Sequence, residues 1–138
     1  MIEQATTIGP KDDLTIDLVG ERCIVVTDGR GKGGGNVHSR PRTSIRWTNR
    51  TGYPCRLYFH ELAPDDVDGD GPDTWPFDET AGIPPNGQEI PATGPGGSPG
   101  RWTGTLQADL DTVVKYDIVV VTGAANPPML DPIIIVRE

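Results

Sequence analysis

Leu14, Ile16 and Leu18 alternate with Thr15 and Asp17, the two-residue period of a strand that buries one face. Cys23–Val26 forms a second, more continuously apolar run, and Gly20–Glu21 between the two reads as a tight turn. Ser44–Asn49 is a third strand, with Ile45 and Trp47 on one face. Cys55–Leu62 is a fourth, in which Leu57 and Phe59 alternate with Arg56, Tyr58 and His60. Two short strands, Gln88–Ile90 and Arg101–Leu106, flank a loop at 91–100. The strongest signals come last, at Val113–Thr122 and Ile133–Val136. Residues 106–112 have room for one helical turn at most.

Between these runs lie two long connections. Residues 28–42 read as a glycine-rich loop, because several adjacent glycines lose too much entropy inside an element. Residues 63–86 form an acidic, proline-rich excursion carrying Trp75 and Phe77. No repeat and no sustained helical period is present. About eight short strands with frequent turn signals predict a single all-β domain over residues 1–138, an antiparallel Greek-key β-sandwich of 7–8 strands.

Composition agrees with that class. The 18 glycines and 14 prolines demand many turns and leave little scope for long helices. No stretch reaches the roughly 18–20 apolar residues of a membrane-spanning helix, and the polar Met1–Asp13 segment carries no secretory signal. The expectation is a cytoplasmic protein without membrane attachment; the alternative is one whose signal has been trimmed away. Cys23 and Cys55 both sit in apolar runs and read as reduced, core-packed thiols; an oxidising compartment would leave a disulfide open.

The charge is unevenly spread. The net value of −8 argues against attraction to nucleic acid or to an anionic membrane surface. Yet between Arg22 and Arg56 there are eight Lys/Arg residues and one acid, Asp28. From Leu57 to Gly100 there are nine Asp/Glu residues and no Lys or Arg. Arg30, Lys32, Arg40 and Arg42 in the glycine-rich loop are therefore candidate contacts for an acidic protein partner; Trp75 and Phe77 are candidate aromatic anchors, with capping of the sandwich core as their alternative role. The alternative is that the two charged segments fold together and pair.

The stretch IRWTNRTGYPCRLYF, from Ile45 to Phe59, resembles the cupredoxin pattern of plastocyanin, azurin and their relatives. In that family a strand ends in Asn and a short loop leads to Pro-His, the first copper ligand. Asn49, Pro54 and Cys55 fall on those places. Ile83–Pro85 with Gly87 is similar to the family's Ile-Pro-Pro-Gly turn with one residue inserted. The closing segment YDIVVVTGAANPPMLDPIIIV is similar to the hairpin carrying the remaining ligands. Counted from Tyr116, the ligand places are Val120, Ala125 and Met129. The resemblance implies a cupredoxin-like sandwich with a degenerate copper site, because a blue-copper centre needs two imidazoles, a thiolate and an axial thioether. Cys55 and Met129 are the residual soft donors, and His60 is expected on the other face of its strand. Met129 is otherwise expected to plug the sandwich end.

Asp66-Val67-Asp68-Gly69-Asp70-Gly71 matches the first half of a calcium loop, whose alternate carboxylates converge on one cation. The twelfth place, which should hold a bidentate Glu, is Phe77; Asp78 follows it. Asp66, Asp68, Asp70 and Asp78 are thus candidate calcium ligands, although no metal or other cofactor is the primary expectation. Glycines 29, 31 and 34 satisfy G-x-G-x-x-G, but Pro41 and further loop follow in place of the helix that a dinucleotide needs. No catalytic constellation is visible; an enzyme would need a pocket gathering His38 or His60 with carboxylates. The sequence thus predicts a non-catalytic β-sandwich module for protein interaction, with a metal-binding protein and a small enzyme as the alternatives.

Overall fold

In a computed structural model, residues 8–62, 71–78 and 83–137 are described. Among these described residues, ten strands form two sheets that pack face to face. They are β1 (Asp13–Val19), β2 (Cys23–Asp28), β3 (Val37–Ser39), β4 (Ser44–Asn49), β5 (Cys55–Glu61), β6 (Gln88–Ile90), β7 (Gly100–Thr105), β8 (Thr112–Val120), β9 (Met129–Leu130) and β10 (Ile133–Val136). One sheet has the order β2-β1-β4-β7. The other has the order β3-β10-β8-β5-β6, with β9 also paired to β8. The eight strands expected from periodicity are all present, and the fold is the all-β sandwich they predict. Two further strands, β3 and β9, lie where the sequence shows loop. Both sheets are mixed, since β1 pairs in parallel with β4 and β3 with β10, while the other pairs are antiparallel.

The alternation read from the sequence decides which side chains meet between the sheets. Leu14 and Ile16 of β1, Ile45 and Trp47 of β4, Leu57 and Phe59 of β5, and Val114, Tyr116, Ile118 and Val120 of β8 all turn inward and are buried. Trp47 lies at the centre, fully buried, with ring contacts to Phe59, Phe77, Trp102 and Tyr116 at 5.6–6.1 Å. Phe77, a candidate anchor with core capping as its alternative role, takes the core role and joins this cluster: it is only 1% exposed. Burying its ring against Trp47 and Phe59 removes more apolar area from water than display on a loop would. Trp75 is half-buried beside it, 5.7 Å from Phe59 and 5.8 Å from Trp102. Gly104 is what admits this packing, because a Cβ there would stand 2.5 Å from Trp102 and 2.6 Å from Phe77.

Polar staples fix the ends. Asn49 closes β4 and is fully buried. Its Nδ2 donates to the carbonyls of Tyr53 (2.6 Å), Ile90 (3.1 Å) and Pro91 (3.2 Å), and its Oδ1 accepts from the N–H and hydroxyl of Thr51. The glycine-rich loop is tied down in turn: the Tyr116 hydroxyl donates to the Gly35 carbonyl and accepts from Trp47 Nε1 at 3.4 Å. Among the described residues no helix is long and apolar enough to cross a membrane.

Candidate functional site

At one end of the β1–β2 hairpin three loops surround a cleft of about 380 Å³. Thr51 and Tyr53 line it from the β4–β5 loop, Glu21 and Arg22 from the β1–β2 turn, and Thr122 and Asn126 from the segment after β8. This is the end where the family resemblance puts copper. Cys55 pairs with Val120 across β5 and β8, and both side chains are buried. The other two places do not join them. Ala125 is exposed, and Met129 is 63% exposed. Met129 pairs with Val119, so it projects from the sheet face opposite to Cys55 and Val120. It therefore neither plugs the core nor converges with Cys55.

His60 does occupy the outer face of β5, as its parity requires. Its Nε2 lies 3.1 Å from Asp117 of β8 and its Nδ1 3.0 Å from Asp73, so it helps hold the 71–78 segment against the sheet. Among the described residues no group of three or more His, Cys, Asp or Glu is placed to hold a metal ion. Asp66, Asp68 and Asp70 lie outside the described residues. Asp78 is exposed, and its backbone N–H donates to Thr105.

The two thiols differ from the expectation of a matched, core-packed pair. Cys55 is buried, and desolvation pushes its thiol up to about 11, with a Thr51 contact pulling weakly the other way. Cys23 is exposed at the start of β2, because its run alternates outward at Cys23 and Val25. Both are free. Native protein at neutral pH should therefore take up one equivalent of iodoacetamide, at Cys23, and a second only after denaturation. Peptide mass spectrometry reads this directly, and alkylation of Cys55 in the folded state would contradict the buried thiol.

The opposite end of the hairpin is strongly basic. Lys11, Arg30, His38, Ser39, Arg40 and Arg137 line an open cleft of about 430 Å³. Arg40 and Arg42 line a shallower hollow together with Pro41 and Ala108. Topology brings these residues together. A single 3₁₀ turn at Pro10–Asp12 carries Lys11, the end of β2 leads to Arg30, and β3 lies parallel to β10 and so sets His38 beside the chain leading to Arg137. Of the four basic residues expected from the sequence, Arg30, Arg40 and Arg42 gather here. Lys32 is exposed on the same loop but does not line the cleft.

Most of these cations are held in place. Lys11 Nζ donates to the His38 carbonyl at 2.9 Å. Arg30 grips Asp28 through Nε (3.1 Å) and Nη2 (2.8 Å), while the backbone N–H groups of Arg30 and Lys32 donate to the other carboxylate oxygen. The Arg30 hydrogen bond holds the Asp28 carboxyl below its ordinary range, with the two backbone bonds adding to it against some desolvation. Its contribution to loop order is thus present at neutral pH and lost only as pH falls through that depressed value. Arg137 Nη1 donates to the Val136 carbonyl at 2.9 Å and to Asp111 at 3.3 Å. Asp12 is buried under Ser39, whose hydroxyl donates to it at 3.1 Å; burial raises its carboxyl, against the pull of Lys11 and Ser39.

Arg40 and Arg42 are different. Among the described residues their guanidinium groups have no hydrogen-bond or carboxylate partner. They flank Pro41 in a turn closed by Thr43 N–H to the Arg40 carbonyl at 3.3 Å, with Arg42 at φ 69°. Proline at the second place and positive φ at the third define a type II turn, whose third place favours glycine. Arg42 is the one non-glycine residue with positive φ among those described. A strained arginine beside an unpaired one is where a site-specific constraint is expected.

No family model matches the sequence, and no curated protein is significantly similar to it. Among solved structures, the chain is similar to one described as "Crystal structure of multicopper oxidase", with 17% identity and a TM-score of 0.39. The match covers 91% of this chain and 41% of that one, so this chain spans less than half of its neighbour. That likeness assigns no activity here.

Proposed function

We propose that this chain is a non-catalytic β-sandwich module that binds another protein, using its basic end to take an acidic segment of the partner. The observation that carries this reading is the convergence of Lys11, Arg30, Arg40, Arg42 and Arg137 at one end of a molecule with net charge −8. Asp28 and Asp111 offset Arg30 and Arg137, but Lys11, Arg40 and Arg42 add positive charge at the same end, and like charges gathered there repel one another. An acidic ligand relieves that repulsion at this end and is repelled by the rest of the surface, which fixes its orientation. Pinning by Asp28, Asp111 and the His38 carbonyl lowers the entropy lost when the side chains engage a ligand.

A fluorescent Glu-rich peptide titrated against the protein at low salt tests the proposal. Saturable binding is expected, weakening roughly tenfold or more as salt shortens the range of the attraction. The double variant Arg40→Glu/Arg42→Glu, altered only at exposed positions, should abolish it. Absence of binding, or binding indifferent to both salt and charge reversal, would overturn the proposal.

A further inference from the structure

We infer that the cleft between the Pro10–Asp12 turn, β3 and β10 is a receptor for a single phosphoryl group, so that the acidic partner segment is a phosphorylated one. This rests on the protein-binding reading above and narrows it. The starting point is the supply of hydrogen-bond donors. Lys11 spends one of its three on the His38 carbonyl. Arg30 spends Nε and Nη2 on Asp28 and keeps Nη1. Arg137 spends Nη1 on Val136 and Asp111 and keeps Nε and Nη2. Arg40 spends none on a described residue. The cleft thus retains donors from four cations, on the Pro10–Asp12 turn and on the segments that follow β2, β3 and β10, with the exposed His38 ring beside them.

A side-chain carboxylate is a poor match for that supply. It carries one charge and accepts mainly in its own plane through two oxygens. A phosphoryl group carries about −1.5 to −2 charge and three terminal oxygens on a tetrahedral centre, so donors arriving from several directions all find an acceptor. Among the described residues no carboxylate lines the space. Asp28 and Asp111 hold Arg30 and Arg137 without lining the cleft, and Asp12 beneath it is occupied by Ser39. The cleft is also concave and about 430 Å³, ample for one phosphorylated side chain and too small for a folded surface.

Two Glu-rich peptides that differ only in a central serine or phosphoserine, titrated calorimetrically, test the inference. The phosphopeptide is expected to bind about tenfold tighter or better, a gain typical of new charge-assisted bonds. In Arg40→Gln, which breaks no described intramolecular bond, and in Lys11→Ala, the ratio of the two affinities should fall toward one, because the serine peptide weakens too but far less than the phosphopeptide. Equal affinity for the two peptides would overturn the phosphoryl site and leave the protein-binding module standing. Failure of both peptides to bind would overturn both. Competition by inorganic phosphate at concentrations matching the phosphopeptide, or preference for a single-stranded oligonucleotide, would overturn the assignment to a phosphorylated protein segment.

Discussion

Asn49→Asp is expected to destabilise the fold by about 3–5 kcal/mol at neutral pH, the cost of stranding a buried charge. The amide of Asn49 is oriented unambiguously, since Nδ2 faces three carbonyl oxygens and Oδ1 faces two donors on Thr51. A carboxylate in that place turns a second acceptor toward the carbonyls of Tyr53, Ile90 and Pro91. These three carbonyls belong to the β4–β5 loop and the end of β6, so the staple that joins the two sheets is lost as well. The sign of the pH dependence follows. Burial and the facing carbonyls raise the folded-state pKa of the new carboxyl above its unfolded value, so the penalty is full at neutral pH and shrinks as pH falls through that raised value. Urea melts at pH 7 and near pH 4 check this; a variant as stable as wild type at pH 7 would contradict the geometry of Asn49.

Arg42→Gly is expected to move stability and binding in opposite directions. A left-handed conformation costs a non-glycine residue about 1–2 kcal/mol, part of which glycine returns through its looser unfolded chain, leaving a gain of about 1 kcal/mol. For a domain of this size the melting temperature should rise by roughly 3–5 °C. Binding of the Glu-rich peptide should weaken, because the variant deletes an exposed guanidinium next to Arg40. Stability gained at the expense of binding is the mark of a residue kept for recognition. A variant that loses stability would show that Arg42 serves the fold. One that binds as well as wild type would remove it from the site.

Alternation alone was enough to place eight strands and most of the core, since Leu14, Ile16, Trp47, Leu57, Phe59 and Tyr116 each sit on the face their parity dictates. What escaped was non-local. Val37–Ser39 becomes a strand only by pairing with Ile134–Val136, almost a hundred residues away, and nothing within its glycine-rich surroundings announces that partner. Met129–Leu130 is similar, recruited by β8 after two prolines. Cys23 was misplaced because Cys23–Val26 is apolar throughout, which hides its parity. The choice between anchor and core cap for Phe77 stayed open because its segment lacks any period, and the room made for it by Gly104 is visible only in three dimensions.

The basic end was half legible for the same reason. Arg30, Arg40 and Arg42 lie close in sequence and their excess over acids is a local signal. Lys11 and Arg137 stand near opposite ends of the chain and join them only because β1 and β10 bring their flanks to one end of the sandwich. The strain at Arg42 leaves a fainter trace, since Pro41 at the second place of a turn invites glycine next and the chain supplies arginine instead.

The most direct measurement is a backbone amide map, by two-dimensional nuclear magnetic resonance, of the labelled protein as the Glu-rich peptide is added. Perturbations confined to Lys11, Arg30, His38 to Thr43 and Arg137 are the predicted result. Perturbations centred instead on Thr51, Tyr53 and Asn126 at the far end of the hairpin, or none at saturating peptide, would contradict recognition by the basic end.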